Sequence, residues 1–221
     1  MNITEAMKAR HSVRQYKNKP LDKEVISTLQ AEIAACNEES GLHIQLVTDE
    51  PKAFDGFMAH YGKFSGVTNY IAMIGKNQGL HEKCGYYGER LVLLAQQLGL
   101  NTCWVAMSYS KIKTAFVLDK GEKLCVVIAL GYGETQGVPH KSKSINQVAK
   151  TDGEMPEWFK SGIEAAQLAP TAMNQQKFLF TQKGNQVSAK AGIGFYTKLD
   201  LGIVKYHFEI GAGRENFEWI S

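Results

Sequence analysis

The clearest sign of a sheet in the sequence is the apolar run Leu124-Cys125-Val126-Val127-Ile128-Ala129-Leu130. A run of this length with no polar break predicts a strand that is buried on both faces, at the centre of a sheet. Shorter apolar or alternating segments predict further strands around residues 44–46, 70–74 and 103–105, and a hairpin that turns at Lys183-Gly184-Asn185.

Helices are predicted where apolar residues recur with the helical period. They are expected over residues 3–10, after Pro20, and over about residues 82–98, 157–168 and 199–211. Asn2 followed by Glu5 resembles a helix N-cap with its acidic partner, which sets the start of the first helix. Residues 131–150 are expected to form an irregular loop. Because helices and strands follow no strict alternation, the chain is predicted to be α+β.

The composition is that of an ordinary globular chain. With 221 residues and 44% hydrophobic content, it can bury a core without disulfides or a metal. Its 25 basic and 22 acidic residues are spread along the chain, so neither a nucleic-acid nor a membrane partner is expected. The four cysteines are far apart in sequence and are predicted to be reduced core thiols. The first residues carry no apolar leader, and a cytoplasmic location is therefore expected.

A weak internal repeat organises these elements. Two registers align apolar positions, matching Val25, Leu29 and Ile44 with Phe159, Ile163 and Phe178, and Leu91, Leu94 and Leu98 with Ile203, Tyr206 and Ile210. The sequence therefore predicts two unequal halves, residues 1–150 and 151–221, that fold as one intramolecular pseudo-dimer. The two long helices are expected to pack on each other through the matched stripes at the pseudo-two-fold axis. His207 would then be a core residue and not a catalytic base.

The turn after the first helix is one candidate site for chemistry. Arg10 and Arg14 flank Ser12, and two guanidinium groups beside a hydroxyl form a suitable donor set for a phosphate. A basic turn at a helix end is also common as a solvated surface, where it stabilises the helix dipole. Arg10 is expected at the surface, so that reversing its charge would cost little stability.

Three further segments carry groups that could contact a ligand. The turn Ala169–Asn174 is rigidified by its proline and displays polar side chains, although a helix stop followed by a polar turn has the same sequence. The segment Gly99–Ser108 leads from a helix end into a strand that breaks at small residues, and a buried strand with its edge turn is the alternative. Lys141 and Lys143 lie in a later loop, where solvated lysines are the ordinary outcome.

These four segments occur together in the order found in the flavin-dependent nitroreductases, and they cover most of the chain. The sequence most resembles the single-chain branch of that family, in which two half-length modules are fused. In ordinary members a homodimer holds two FMN molecules at its interface, with the basic turn from one subunit and the proline turn from the other. Here the first half keeps only the basic turn and the second only the proline turn. The resemblance therefore implies one FMN per chain and a protein that functions as a monomer.

The resemblance also assigns flavin-binding residues one by one. It places at the phosphate end Arg10 and Ser12, with His11 in the same turn, and one or both of Lys141 and Lys143. It places Arg14 at the N1/O2 edge of the ring, where a cation favours the anionic reduced flavin. It places along the ring and ribityl chain Pro170, Thr171 and Asn174, and near N5 the backbone of Val105, Ala106 and Met107.

The implied activity is a ping-pong reaction. NAD(P)H would reduce FMN and leave, and a small-molecule acceptor such as a nitro compound or a quinone would then take the electrons, without a catalytic side chain or a metal. Two departures concern substrate access: Gln175-Gln176-Lys177 stands where the family has Gln-Pro-Trp, and Ala106-Met107 where it has Glu-Gly or Gly-Gly. They keep open a rival hypothesis, a non-catalytic flavin or nucleotide binder of the same fold.

Overall fold

The computed structural model describes residues 1–220. The chain divides into two compact units: unit 1 contains residues 1–80 and 90–139, and unit 2 contains residues 81–89 and those from His140 onward. Each unit has its own mixture of helices and a sheet, as an α+β fold requires. The division into halves 1–150 and 151–221, which rests on the sequence repeat, stays a prediction.

Helices and strands follow one another along both units without strict alternation. The helices are α1 (Ile3–Ala9), α2 (Lys23–Ser40), α3 (Phe57–Tyr61), α4 (Leu80–Gln97), α5 (Ile145–Val148), α6 (Glu157–Ala166) and α7 (Thr197–Ala212). The strands are β1 (Gln45–Val47), β2 (Asn69–Gly75), β3 (Asn101–Val105), β4 (Lys123–Gly131), β5 (Ala149–Thr151), β6 (Phe178–Lys183), β7 (Gln186–Ala191) and β8 (Glu218–Trp219).

The sheet of unit 1 is antiparallel, with the strand order β1-β2-β4-β3. The long apolar run lies in β4, an inner strand: Leu130 pairs with Asn69 of β2 on one side and with Thr102 of β3 on the other. The last six residues of β4 are buried, which agrees with the strand predicted at the centre of the sheet. Because β3 is an edge strand, its outer side is open to the segment that follows α1.

The ends of two helices in unit 1 explain where these helices begin and stop. Asn2 accepts a hydrogen bond from the backbone N–H of Glu5 at 2.8 Å, and the Glu5 carboxylate accepts one from the N–H of Asn2 at 2.9 Å. This capping box confirms the predicted start of α1. Gly41 ends α2 with a φ of 69°, a left-handed conformation in which a glycine is not strained.

The sheet of unit 2 has the order β5-β6-β7-β8, and β6 and β7 form the predicted hairpin about Gly184. The prediction of an irregular loop over residues 131–150 was wrong at its end, because α5 and the start of β5 lie there. Ser144 caps α5 through a capping box with Gln147. An element of four residues is too short to show a hydrophobic period, so the cap was its only signal in the sequence.

The core of unit 2 is built on aromatic rings. Phe208 of α7 packs against Phe159, Phe180 and Phe217, with ring centroids 5.6, 4.7 and 5.1 Å apart. Gly162 of α6 faces Phe208 closely, since a Cβ built there would lie 2.6 Å from the Phe208 ring. Phe159 and Phe208 are both fully buried, so α6 and α7 are fixed against the sheet by ring contacts.

The first half of α4 crosses α7 within unit 2 at two glycines. A Cβ built on Gly85 would lie 2.0 Å from the carbonyl oxygen of Leu199, and one built on Gly202 would lie 2.0 Å from that of Glu82. The two backbones therefore touch at this crossing. The prediction that the helices pack was correct, but the crossing point lies before the predicted stripe that begins at Leu91. Leucine periodicity cannot reveal a contact that depends on the lack of side chains.

His207 lies beside this crossing and is fully buried, as predicted for a core residue. Its Nε2 lies 2.9 Å from Oε1 of Glu89, and its Nδ1 lies 3.1 Å from the carbonyl oxygen of Ala165. That it is not a catalytic base stays a prediction.

The four cysteines are free thiols, and Cys36, Cys84 and Cys103 are buried. Among residues 1–220, no helix is long and apolar enough to cross a membrane.

Candidate functional site

The basic turn of unit 1 runs beside the edge strand β3. The backbone N–H of Val13 donates to the carbonyl of Thr102 at 3.0 Å, and Ser12 forms a parallel bridge with Thr102. On the other side of the turn, the backbone carbonyl of Arg14 accepts a hydrogen bond from the N–H of Ser65 at 3.0 Å. The turn is therefore held as an extra, short strand along the outer side of β3.

The three polar side chains of this turn differ in exposure. Ser12 and Arg14 are exposed, and the Arg14 guanidinium lies 5.9 Å from the centre of the Phe64 ring. Arg10 is only 3% exposed, because the chain turns inward at the end of α1. The expectation that Arg10 is a surface residue was therefore wrong. Reversing its charge would place an acid in the interior, which is costly for the fold.

All three side chains lower the pKa of one buried thiol, that of Cys103. Burial raises the pKa of the Cys103 thiol, while Arg14, a hydrogen bond with Ser12 and the charge of Arg10 act in the opposite direction. The net shift is upward, so the thiol stays protonated near neutral pH and is a poor nucleophile. Cys103 is therefore a buried, protonated thiol, as expected for a core cysteine.

Close backbone contacts fix the position of the turn. A Cβ on Gly137 would lie 2.7 Å from Cβ of His11 and 3.0 Å from the carbonyl oxygen of Ser12. A Cβ on Gly66 would lie 2.1 Å from the carbonyl oxygen of Tyr16. Both glycines also have a positive φ, so two independent reasons exclude larger residues. The donors of the turn are consequently presented by a rigid backbone.

The segment predicted to approach flavin N5 follows at the end of the same strand. Val105 is buried and ends β3, Ala106 is half-buried, and the side chain of Met107 is 68% exposed. The structure thus places the basic turn and this segment along one strand of unit 1. The role of their backbone groups stays a prediction.

In unit 2 the predicted residues Lys141, Lys143, Thr171 and Asn174 meet around one side chain, that of Gln176. Its Oε1 accepts from the N–H of Lys143 at 2.8 Å, and its Nε2 donates to the carbonyl of Lys141 and to Oδ1 of Asn174, each at 2.8 Å. Its backbone N–H donates to Oγ1 of Thr171 at 3.1 Å. Gln176 is 3% exposed, so this buried amide joins the proline turn to the lysine loop.

The two loop lysines have different environments. The ammonium group of Lys143 donates to the backbone carbonyl of Gln176 at 2.9 Å, so part of its hydrogen-bonding capacity is used inside unit 2. Lys141 is exposed, and its carbonyl accepts from the side chains of Asn174 and Gln176. Of the two, Lys141 has the side chain that is more available for an anion.

The proline turn adopts an unusual backbone. Met173, Asn174 and Gln176 have φ values of 51°, 51° and 45°, in the left-handed region that non-glycine residues seldom occupy. Such conformations cost free energy and persist where surrounding contacts enforce them. The hydrogen bonds of Gln176 are one such set of contacts.

Asp200 of α7 provides a second set. Its Oδ1 accepts from the backbone N–H of Ala172 at 3.0 Å, and its Oδ2 accepts from the side chain of Gln175 at 2.9 Å. The residue is 2% exposed, and burial raises the pKa of its carboxyl to about 6, against the lowering effect of these two hydrogen bonds. Neither Asp200 nor the joining role of Gln176 was predicted. The one sequence signal for the role of Gln176 was that this position departs from the family pattern.

Asp200 predicts a specific dependence of stability on pH. Its carboxyl binds a proton more tightly in the folded than in the unfolded chain, so its contribution to the free energy of unfolding falls as pH rises from about 4 to about 6. Between about pH 4 and pH 7 the wild type should lose about 2–3 kcal/mol relative to Asp200→Asn, measured by urea unfolding. Asp152→Asn, at an exposed position, should follow the wild type. Identical pH profiles for wild type and Asp200→Asn would contradict this prediction.

One group in unit 1 has the residue types of a metal site. His43 Nδ1 lies 2.8 Å from Glu122 Oε2 and 4.0 Å from Asp119 Oδ2. The Gln45 side chain forms two hydrogen bonds with the backbone of Val117: its Oε1 accepts from the N–H, and its Nε2 donates to the carbonyl. These bonds fix the orientation of the amide, so its second N–H points at Nε2 of His43, 3.1 Å away. The imidazole proton is then on Nδ1 and donates to Glu122. This tautomer offers no free lone pair, so the group fits an internal hydrogen-bond network better than a metal.

Comparisons with known proteins agree on one family. A family model described as "Putative TM nitroreductase" matches residues 2–212. The crystal structure of "a putative nitroreductase" from Thermotoga maritima superposes with a TM-score of 0.66 at 23% identity, covering 97% of this chain and 85% of that chain. A structure from Parabacteroides distasonis, described as "Putative NADH dehydrogenase/NAD(P)H nitroreductase", gives a TM-score of 0.52 at 25% identity and covers 67% of this chain and 97% of its own. No curated protein sequence matches the chain.

Proposed function

This chain belongs to the nitroreductase family described as "Putative TM nitroreductase", and we propose that it is an FMN-dependent NAD(P)H oxidoreductase. The family match supports a general oxidoreductase activity. The cofactor, the electron donor and the small-molecule acceptor are the proposed part. The Parabacteroides distasonis protein is described as a "Putative NADH dehydrogenase/NAD(P)H nitroreductase", which supports the choice of donor.

One observation in unit 1 carries the proposal: the order of the predicted contacts along β3. Ser12 lies opposite Thr102 in a parallel bridge, so the chain continues from Ser12 to Arg14 in the same direction as β3 runs toward Val105. Three residues of strand cover about 10 Å. The residues assigned to the phosphate, to the N1/O2 edge and to N5 therefore follow one another in this order along β3, from the phosphate end of FMN to its ring.

The donor set fits the cofactor chemically. Ser12 and Arg14 are exposed on a rigid turn and offer a hydroxyl and a guanidinium group, which match phosphate and the electron-rich edge of a flavin. In unit 2, Lys141 presents an exposed ammonium group, while Gln176 and Asp200 hold the turn that carries Thr171 and Asn174. The resemblance assigns residues of both units to the flavin.

The bound flavin would supply hydride chemistry, taking a hydride from NAD(P)H and passing electrons to a nitro compound, a quinone or a similar acceptor in a ping-pong order. The protein contributes binding, orientation and charge. No side chain is needed as an acid, a base or a nucleophile in this proposal.

The experiment that tests cofactor binding is a reconstitution. Protein incubated with FMN and desalted should keep the absorption bands of flavin, with one FMN per chain and the mass of a monomer by light scattering. Riboflavin, which lacks the phosphate, is the matched control and should be lost on desalting. No retention of FMN at saturating concentration would exclude the flavin assignment. Two FMN per chain, or binding only by a dimer, would exclude the single-site pseudo-dimer.

A further inference from the structure

The loop Gly192–Tyr196, called the apolar loop below, connects β7 to α7 in unit 2 and presents large apolar side chains to solvent. Ile193 is 95% exposed and Phe195 is 73% exposed. Met173, in the neighbouring proline turn, is 80% exposed. Single exposed apolar residues are ordinary, but three such residues in adjoining segments of one unit call for a partner.

Internal contacts hold the apolar loop to the proline turn. The side chain of Gln175 donates to the carbonyl of Phe195 at 2.6 Å, and a Cβ built on Gly194 would lie 2.5 Å from Oε1 of Gln175. At its start, the N–H of Gly192 donates to the carbonyl of Lys177 at 2.7 Å. The exposure of Ile193 and Phe195 is therefore a property of an anchored loop.

The sequence stretch that contains the apolar loop has charged residues of one sign only. The stretch from Pro170 to Leu199 contains four lysines and no aspartate or glutamate. Lys177, Lys190 and Lys198 are exposed and lie at, or within a few residues of, the apolar loop. Asp200 follows this stretch, but it is buried, and its carboxylate accepts hydrogen bonds from Ala172 and Gln175. The whole chain carries a net charge of only +3, so this basic surface is local.

We propose that the apolar loop docks on an anionic lipid surface, with Ile193 and Phe195 in the interface and the lysines at the headgroups. Apolar side chains that project from a loop beside exposed lysines complement the apolar boundary and the negative charge of such a bilayer. Lysine stems can lie along the apolar region while their ammonium groups stay in water. The apolar loop adjoins the proline turn that is proposed to line the flavin. For this surface the proposal replaces the expectation of no membrane partner.

The test is co-sedimentation of the full chain with vesicles of phosphatidylcholine alone and of phosphatidylcholine mixed with phosphatidylglycerol. The wild type should bind the anionic vesicles, and binding should weaken with added salt. The double variant Ile193→Ser/Phe195→Ser should bind at least about tenfold more weakly. Lys190→Gln and Lys198→Gln should each reduce binding about fivefold. The matched control Val117→Ser/Val138→Ser, at positions 60% and 79% exposed in unit 1, should bind like the wild type.

Three outcomes would overturn the proposal. The first is failure of the wild type to bind anionic vesicles, and the second is equal binding to neutral and anionic vesicles. The third is equal loss in the loop and control variants, which would remove the assignment to this surface. Binding of poly-glutamate through the same residues, without vesicle binding, would mean that the surface docks an acidic polypeptide and that the lipid proposal is wrong. Circular dichroism of each variant separates loss of docking from loss of fold.

Discussion

Arg14→Glu is expected to weaken FMN binding about a hundredfold, while the free energy of unfolding changes by no more than about 0.5 kcal/mol. The guanidinium is exposed and its only described ring contact is 5.9 Å from Phe64, so little of the core depends on it. Reversal removes an attraction to the flavin and adds a repulsion with its negative charge. The affinity is measured by titration of FMN fluorescence.

The control for Arg14→Glu is Lys17→Glu, an equal change of charge at an exposed position three residues later. Lys17 is not assigned to the flavin, so this variant should bind FMN nearly as well as the wild type, which separates local contact from net charge. Equal FMN affinity in all three proteins would mean that Arg14 is a solvated side chain at a helix end, with no role in flavin binding. Arg10 is unsuitable for this test, because it is 3% exposed and its reversal would perturb the fold.

Gly85→Ala and Gly202→Ala are each expected to lower the free energy of unfolding by about 3 kcal/mol. Alanine favours a helix over glycine by about 1 kcal/mol, so propensity alone would stabilise both variants. The added Cβ, however, would lie 2.0 Å from a backbone carbonyl oxygen of the opposite helix, a contact that only separation of α4 and α7 can relieve. The clash therefore outweighs the gain in propensity.

Urea unfolding followed by circular dichroism measures this effect. Lys198→Ala, at an exposed position of α7, is the control and should change the free energy of unfolding by less than about 0.5 kcal/mol. A Gly202→Ala protein as stable as the wild type would contradict the close crossing. The double variant should cost less than the sum of the two, because one separation of the helices relieves both clashes.

The elements that the sequence predicts well are those with a local physical signal. The run from Leu124 to Leu130 can satisfy its apolar surface only inside a sheet, and β4 is an inner strand. Asn2 and Glu5 carry a complete helix cap within four residues, and α1 begins there. In both cases the residues that fix the element are its own residues or immediate neighbours.

The features that the sequence did not reveal depend on distant contacts. Arg10 is buried because of how the chain leaves α1 and runs along β3, which no local pattern encodes. Gln176 joins two segments that are more than 30 residues apart in the sequence, and its role appears only once both are placed. The crossing at Gly85 and Gly202 depends on the absence of side chains, whereas pattern analysis weighs those that are present.

We propose that the chain uses a bound flavin to transfer electrons from NAD(P)H, and one anaerobic titration follows both half-reactions. FMN-loaded protein is titrated with NADH and, separately, NADPH, and a quinone or a nitroaromatic compound is then added while the flavin absorbance is followed. We expect at least one nicotinamide to bleach the flavin bands and the acceptor to restore them. A flavin that dithionite reduces but neither nicotinamide reduces would contradict the proposed activity and leave only a flavin-binding protein.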